Sequence, residues 1–174
     1  HNGKSYFDAK KIRHPLIEQL NQNELYVSNN IELGSNYNCS LIYGTNAVGK
    51  SSLIKSIGIN VILAQSGNYV ASTSFRYFPY NSLFTRILNT DNIFKGLSTF
   101  ALEMSELRNI LKNADKNSIV LGDELCSGTE SVSGLSIFTA SLERLHNNEV
   151  SSIFATHYHE SVSYTHLTLP TIRS

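Results

Sequence analysis

The sequence predicts an α/β protein. Three short, wholly apolar runs alternate with three stretches in which apolar residues recur at helical spacing. Strands that are apolar throughout, separated by helices, belong to a parallel sheet covered on both faces. The length, 174 residues, suits one domain, and a globule of that size buries roughly 70% of the surface its unfolded chain exposes.

The elements follow in order. Ser40-Leu41-Ile42-Tyr43 is the first buried strand and ends at Gly44. From Ser51, the residues Leu53, Ile54, Ile57, Val61 and Ala64 mark a helix that stops near Gly67. Tyr69 to Arg86 is aromatic, Ser-rich and interrupted by Pro79, which reads as turns and short strands. Phe100, Met104, Leu107 and Leu111 fall on one face of a second helix. Ser118-Ile119-Val120-Leu121 is a second strand, stopped by Gly122. Leu135, Phe138, Leu142 and Leu145 mark a third helix, and Ser152-Ile153-Phe154-Ala155 a third strand.

The flanks read differently. Asn21 to Asn38 is polar and broken, with a short apolar hint at Leu25-Tyr26-Val27. Residues 1–12 read as the remnant of a preceding segment, because the chain opens on His1-Asn2-Gly3-Lys4 without an initiator Met or a signal-peptide core. The last segment, 161–174, has no helical apolar face and reads as a foreign or out-of-frame tail; an ordered terminal strand is the alternative.

Composition excludes several classes. The 14 Lys and Arg balance 14 Asp and Glu, so no global basic field advertises nucleic acid or an anionic membrane. Charged residues are 16% of the chain, and Asn and Ser fill the polar surface instead. No apolar stretch approaches the ~18 residues of a membrane-spanning helix. Cys39 and Cys126 are far apart and in no metal-ligand spacing, so they read as two thiols in a reducing compartment.

The chemistry begins at Gly44-Thr45-Asn46-Ala47-Val48-Gly49-Lys50-Ser51, a full match to G-x-x-x-x-G-K-S/T between a predicted strand and a predicted helix. Glycines there let successive backbone N–H groups surround phosphate oxygens, and the helix N-terminus adds its positive end. Lys50 reaches the β- and γ-phosphates of a nucleotide, and the Ser51 hydroxyl completes a Mg²⁺ shell. Downstream, the second strand runs into Asp123-Glu124. In an open parallel sheet, ligands gather outside the carboxyl ends of the strands. Asp123 is therefore expected to hold Mg²⁺ through water, and Glu124 to orient or deprotonate an attacking water. His157, at the end of the third strand, is placed to hydrogen-bond a γ-phosphate. His157, His159 and Glu160 also admit a metal reading, for which nothing else in the sequence supplies ligands.

From Arg13 to Glu160 the residues resemble the ATPase domain of MutS-type DNA mismatch-repair proteins. The resemblance rests on Arg13-His14-Pro15 with Glu18, on Gly44-x-Asn46 opening the phosphate loop, and on Gly67-x-Tyr69-Val70-Ala71 after the helix. It continues through Phe84-Thr85-Arg86, Ser98-Thr99-Phe100 with Glu103-Met104, and Asp123-Glu124 before Gly128-Thr129. Phe154-Ala155-Thr156-His157-Tyr158 closes it. Val48, Ser52, Leu97 and Cys126-Ser127-Gly128 depart from the family pattern, as in a divergent branch.

The resemblance implies a P-loop ATPase of ABC type spanning 13–160, with ATP and Mg²⁺ as cofactors. It implies two composite sites at a homo- or heterodimer interface, each using one chain's Gly44–Ser52 segment and the partner's Ser98 region. Tyr26 matches the position where the family stacks an aromatic on adenine; packing in the core is the alternative. A nucleotide-driven dimer switch is implied to control DNA binding through domains absent from this chain, inside the cell where DNA is. Two other readings stand beside it: an ABC-type engine of a transporter or SMC-like kind, which lacks its Leu-Ser-Gly-Gly-Gln signature here, and a scaffold that binds ATP only to dimerise.

Overall fold

A computed structural model describes residues 3–20, 25–43, 49–87, 96–123, 125, 131–156 and 171–173, with the backbone alone at 96–99, 131 and 171–173. The elements are β1 (Tyr6–Ile12), α1 (Pro15–Leu20), β2 (Asn29–Leu33), β3 (Cys39–Tyr43), α2 (Lys50–Gln65), β4 (Ser74–Phe78) and β5 (Ser82–Arg86). They continue with α3 (Gly96–Asn113), β6 (Ser118–Asp123), α4 (Ser131–Asn147), β7 (Ser151–Thr156) and β8 (Thr171–Arg173). The α/β expectation holds: β5, β6, β7, β3 and β8 lie side by side in that order, and every neighbouring pair is parallel.

The apolar strands are buried on both faces, and their side chains sort by parity. Ile119 and Leu121 of β6, Ile153 and Ala155 of β7, and Ile42 of β3 enter one core with Leu53, Ile54, Ile57 and Val61 of α2. Val120, Phe154, Cys39 and Leu41 point the opposite way, into a second core with Leu107 and Ile110 of α3 and Phe138, Leu142 and Leu145 of α4. Successive strand residues point to opposite faces, so a run of apolar residues serves two helix layers at once.

α2 ends where the sequence predicted. Gly67 takes φ +75°, the left-handed conformation that closes a helix without strain on a Cβ, and its amide donates to Ala64 O at 3.1 Å. The amide of Asn68 then caps Leu63 O at 2.9 Å.

A second, antiparallel sheet, in the order β2-β1-β4, was not anticipated. Residues 1–12, read from the sequence as a remnant, contain its central strand, and Phe7, Ala9 and Ile12 are fully buried in the α2 core. Within the polar stretch 21–38 the strand is Asn29–Leu33, whereas Leu25 and Val27 of the apolar hint are exposed. Two further details differ. Gly122 does not stop β6 but lies inside it, paired with Phe154 of β7. Within 161–174, residues 171–173 form the edge strand beside β3, and the rest of that segment is outside the described residues.

Candidate functional site

The carboxyl ends of β6, β7 and β3 form one edge. Register places Asp123 beside Ala155 and Thr156 beside Tyr43, so Asp123 stands two strand spacings, about 10 Å, from the end of β3. Asp123 is the last residue of β6 and only 5% exposed. Its Oδ1 is shielded from water and has no hydrogen-bond partner among the described residues. A buried acceptor without a partner costs about 1–3 kcal/mol, which makes this oxygen a position with bonding capacity to offer.

The start of α2 supplies the opposite charge. Gly49 precedes the helix at φ +94°, a conformation that suits glycine, and as the N-cap residue it offers no side chain to the first turn. The first amides of a helix have no partner within it, and the helix dipole places partial positive charge there. The amide of Leu53 closes the first turn on Gly49 O at 2.9 Å. Lys50 is 7% exposed, held against the body of the protein rather than extended into solvent, while Ser51 and Ser52 are half-buried.

The remaining sequence candidates divide plainly. Ser98 lies in the first turn of α3, where only the backbone is described. Tyr26 is half-buried between two exposed neighbours. Gly44, Thr45, Asn46, Ala47 and Val48 lie outside the described residues, as do Glu124 and His157, which directly follow β6 and β7 in sequence. Among the described residues no cluster of His, Cys, Asp and Glu could hold a metal on its own, and no helix is long and apolar enough to cross a membrane. Cys39 is a free, buried thiol whose pKa burial pushes up to about 11, a Ser152 hydrogen bond opposing the shift.

Two features escaped the sequence reading. Asn60 is fully buried in α2 and donates to Arg13 O at 3.0 Å and Ser56 O at 2.8 Å. Its signal was an amide on the apolar face of a helix, between Ile57 and Val61. Arg86, the last residue of β5, has its Nε 2.9 Å from Glu106 Oε2 on α3. No spacing rule links residues so far apart, so that pair has no sequence signal.

Comparison with known proteins places the chain. The family model of MutS domain V matches residues 40–172. A mitochondrial DNA mismatch repair protein mutS homolog of Sarcophyton glaucum is 47% identical over 160 residues, which cover 92% of this chain and 16% of that protein. The DNA mismatch repair protein MutS of Fusobacterium nucleatum is 42% identical over 154 residues, 88% of this chain and 17% of its own length. That of Lachnoclostridium phytofermentans is 38% identical over 163 residues, 91% of this chain and 18% of its own length. The chain thus spans about a sixth of these relatives. With the parallel sheet, its helix layers and the Asp123 edge already described, these matches show that the chain belongs to the MutS family of DNA mismatch-repair proteins and corresponds to its domain V.

Proposed function

We propose that this chain is the ATP-binding and ATP-hydrolysing domain of a MutS-type protein, a P-loop ATPase of ABC type whose sites are completed when two such faces meet. One observation carries the reading: the buried Asp123, whose Oδ1 has no hydrogen-bond partner among the described residues, shares the carboxyl edge of the sheet with the strand that precedes Gly49, Lys50 and Ser51 in sequence. The amides at a helix N-terminus and a lysine attract a polyphosphate, and a nearby carboxylate would repel it unless a cation stood between them.

The residues fit that cation. Ser51 and Asp123 offer the hard oxygen donors that Mg²⁺ prefers, with Asp123 acting through water. Bound there, Mg²⁺ supplies neutralisation of charge on the phosphate oxygens. The protein does the rest. The backbone of Gly44, Thr45, Asn46, Ala47, Val48 and Gly49 cradles the phosphates, with Ser52 at its helical end, and Lys50 contacts the β- and γ-oxygens. Tyr26 stacks on the adenine. Glu124 orients the attacking water and accepts its proton, and His157 hydrogen-bonds the γ-phosphate. Ser98 comes from the partner chain, so hydrolysis depends on the dimer. In the whole protein, ATP turnover switches how the homo- or heterodimer holds mismatched or branched DNA, through domains beyond this chain.

The test is ATP hydrolysis per chain as protein concentration rises, with Mg²⁺ present. A specific rate that climbs with concentration is expected. Glu124→Gln should keep ATP binding yet slow hydrolysis on the order of 100-fold or more. Native-rate hydrolysis by Glu124→Gln removes Glu124 as the base. A flat rate from a chain that sizes as a monomer removes the composite site.

A further inference from the structure

We infer that Arg86 and Glu106 are a positioning pair that sets α3 against the carboxyl edge of the sheet and thereby aims the Ser98 turn at the partner's nucleotide; the inference rests on the function proposed above.

The geometry starts in the sheet. Arg86 ends β5 and lies in register with Gly122, the residue before Asp123. Its Nε stands 2.9 Å from Glu106 Oε2, and its side chain is 15% exposed. Both facing atoms are sealed from water and meet as an ion pair without hydrogen-bond alignment, although the rest of Glu106 reaches solvent. Shielding from water weakens screening, and removing one partner leaves a charge without its counter-charge.

The position of the pair along α3 gives it leverage. Among the described side chains of α3, the buried apolar ones, Leu107 and Ile110, lie beyond Glu106. Ahead of it, Glu103 is buried and Met104 packs only in part against the second core. Ser98 is eight residues before Glu106, about 12 Å along the axis at 1.5 Å per residue. With the pair helping to set the helix, a tilt of about 5° becomes a displacement of about 1 Å over the distance to the Ser98 turn. Errors of that size at a reacting centre cost up to about 100-fold in rate. The pair therefore affects turnover without touching the nucleotide.

The test uses the whole chain carrying Arg86→Gln, Glu106→Gln, or the reversed pair Arg86→Glu/Glu106→Arg. Each single variant should lower kcat on the order of tenfold while ATP affinity stays within about twofold. The reversed pair should recover most of that loss. A mixing experiment adds the direction of the effect. A Lys50→Ala chain, deprived of its own phosphate contact but with α3 intact, should restore hydrolysis to Arg86→Gln. The double variant Lys50→Ala/Arg86→Gln should fail to stimulate dilute wild-type chain. Wild-type kcat in both single variants overturns the inference, and so does a loss confined to ATP affinity. A defect that follows the chain supplying Lys50 overturns it as well. A reversed pair no faster than either single variant reduces the role to folding and overturns it too. A wild-type chain that sizes as a monomer and whose rate never rises with concentration instead overturns the composite site itself, and the positioning role with it.

Discussion

The side-chain oxygen of Asn60 accepts a 2.6 Å hydrogen bond from the backbone amide of Ala71. The same side chain donates to Arg13 O, and Arg13 N donates to Ala71 O at 2.8 Å. One buried amide thus joins α2 to the segment before α1 and to the loop before β4. Asn60→Leu keeps the volume but leaves the Ala71 amide and the Arg13 carbonyl without this partner, in surroundings that are only half open to water. A loss of about 1–3 kcal/mol is expected, read from urea unfolding. An unchanged midpoint and slope would show that water replaces the side chain at no cost.

Gly122 is required for space rather than for backbone freedom. A Cβ there would collide with Cδ1 and Cε1 of the Phe154 ring, and Phe154 is itself packed edge-on against Phe138 at 5.8 Å. Gly122→Ala should cost about 1–3 kcal/mol or more through overpacking. Phe154→Leu in the same chain should give back part of that cost, and the double-mutant cycle measures how much. Strictly additive losses would mean that the two side chains do not collide.

Asp123→Asn should act with opposite signs on two states. In the chain alone it removes a buried carboxylate whose Oδ1 has no partner among the described residues, so the melting temperature should hold or rise by a few degrees, a gain of about 1 kcal/mol. With ATP and Mg²⁺ the wild type should gain on the order of 10-fold more in affinity than the variant. Equal Mg²⁺ dependence in the two proteins would dismiss Asp123 as the metal-holding residue.

His14 makes stability depend on pH. Its Nδ1 accepts from the amide of Ile17 at 3.3 Å, capping α1 just before Pro15, which suits the first helical position. Burial, and then the charge of Lys55, hold its pKa below the usual histidine value. The unfolded chain therefore takes up a proton that the folded chain resists. This contribution is complete above the unfolded pKa of about 6.5 and is lost as pH falls from there through the lower folded pKa. His14→Gln should flatten the fall in unfolding free energy between pH 7.5 and 5.5, measured with urea. An identical pH slope in both proteins would assign that fall to other groups. The pairing of Asp8 with Arg76 acts in a separate window. The Arg76 hydrogen bond lowers the Asp8 pKa, so that contribution fades only in more acidic solution.

The parallel sheet was legible because burial on both faces writes itself as unbroken apolar runs, as in Ile119-Val120-Leu121 and Ile153-Phe154-Ala155. β1 was not legible. Tyr6–Ile12 reads YFDAKKI, where Asp8, Lys10 and Lys11 interrupt the apolar pattern. Its charge is tolerated because Asp8 meets Arg76 of the neighbouring strand at 2.6 Å, a partner no local window contains. Gly122 was misread for a similar reason. A glycine after an apolar run ordinarily signals a turn, and only the ring of Phe154 across the strand explains why one is needed inside β6.

By itself the sequence determined the α/β class and the alternation of strands and helices, and it drew attention to the Gly44–Ser51 motif and to Asp123-Glu124. Those features are local, set by periodicity and by contiguous residue types. The tertiary structure decided the antiparallel sheet of β2, β1 and β4, the knot at Asn60, the Arg86–Glu106 pair and the burial of Asp123. Each of these depends on groups tens of residues apart being brought together, and the free energy of burying them without water is a property of the folded whole.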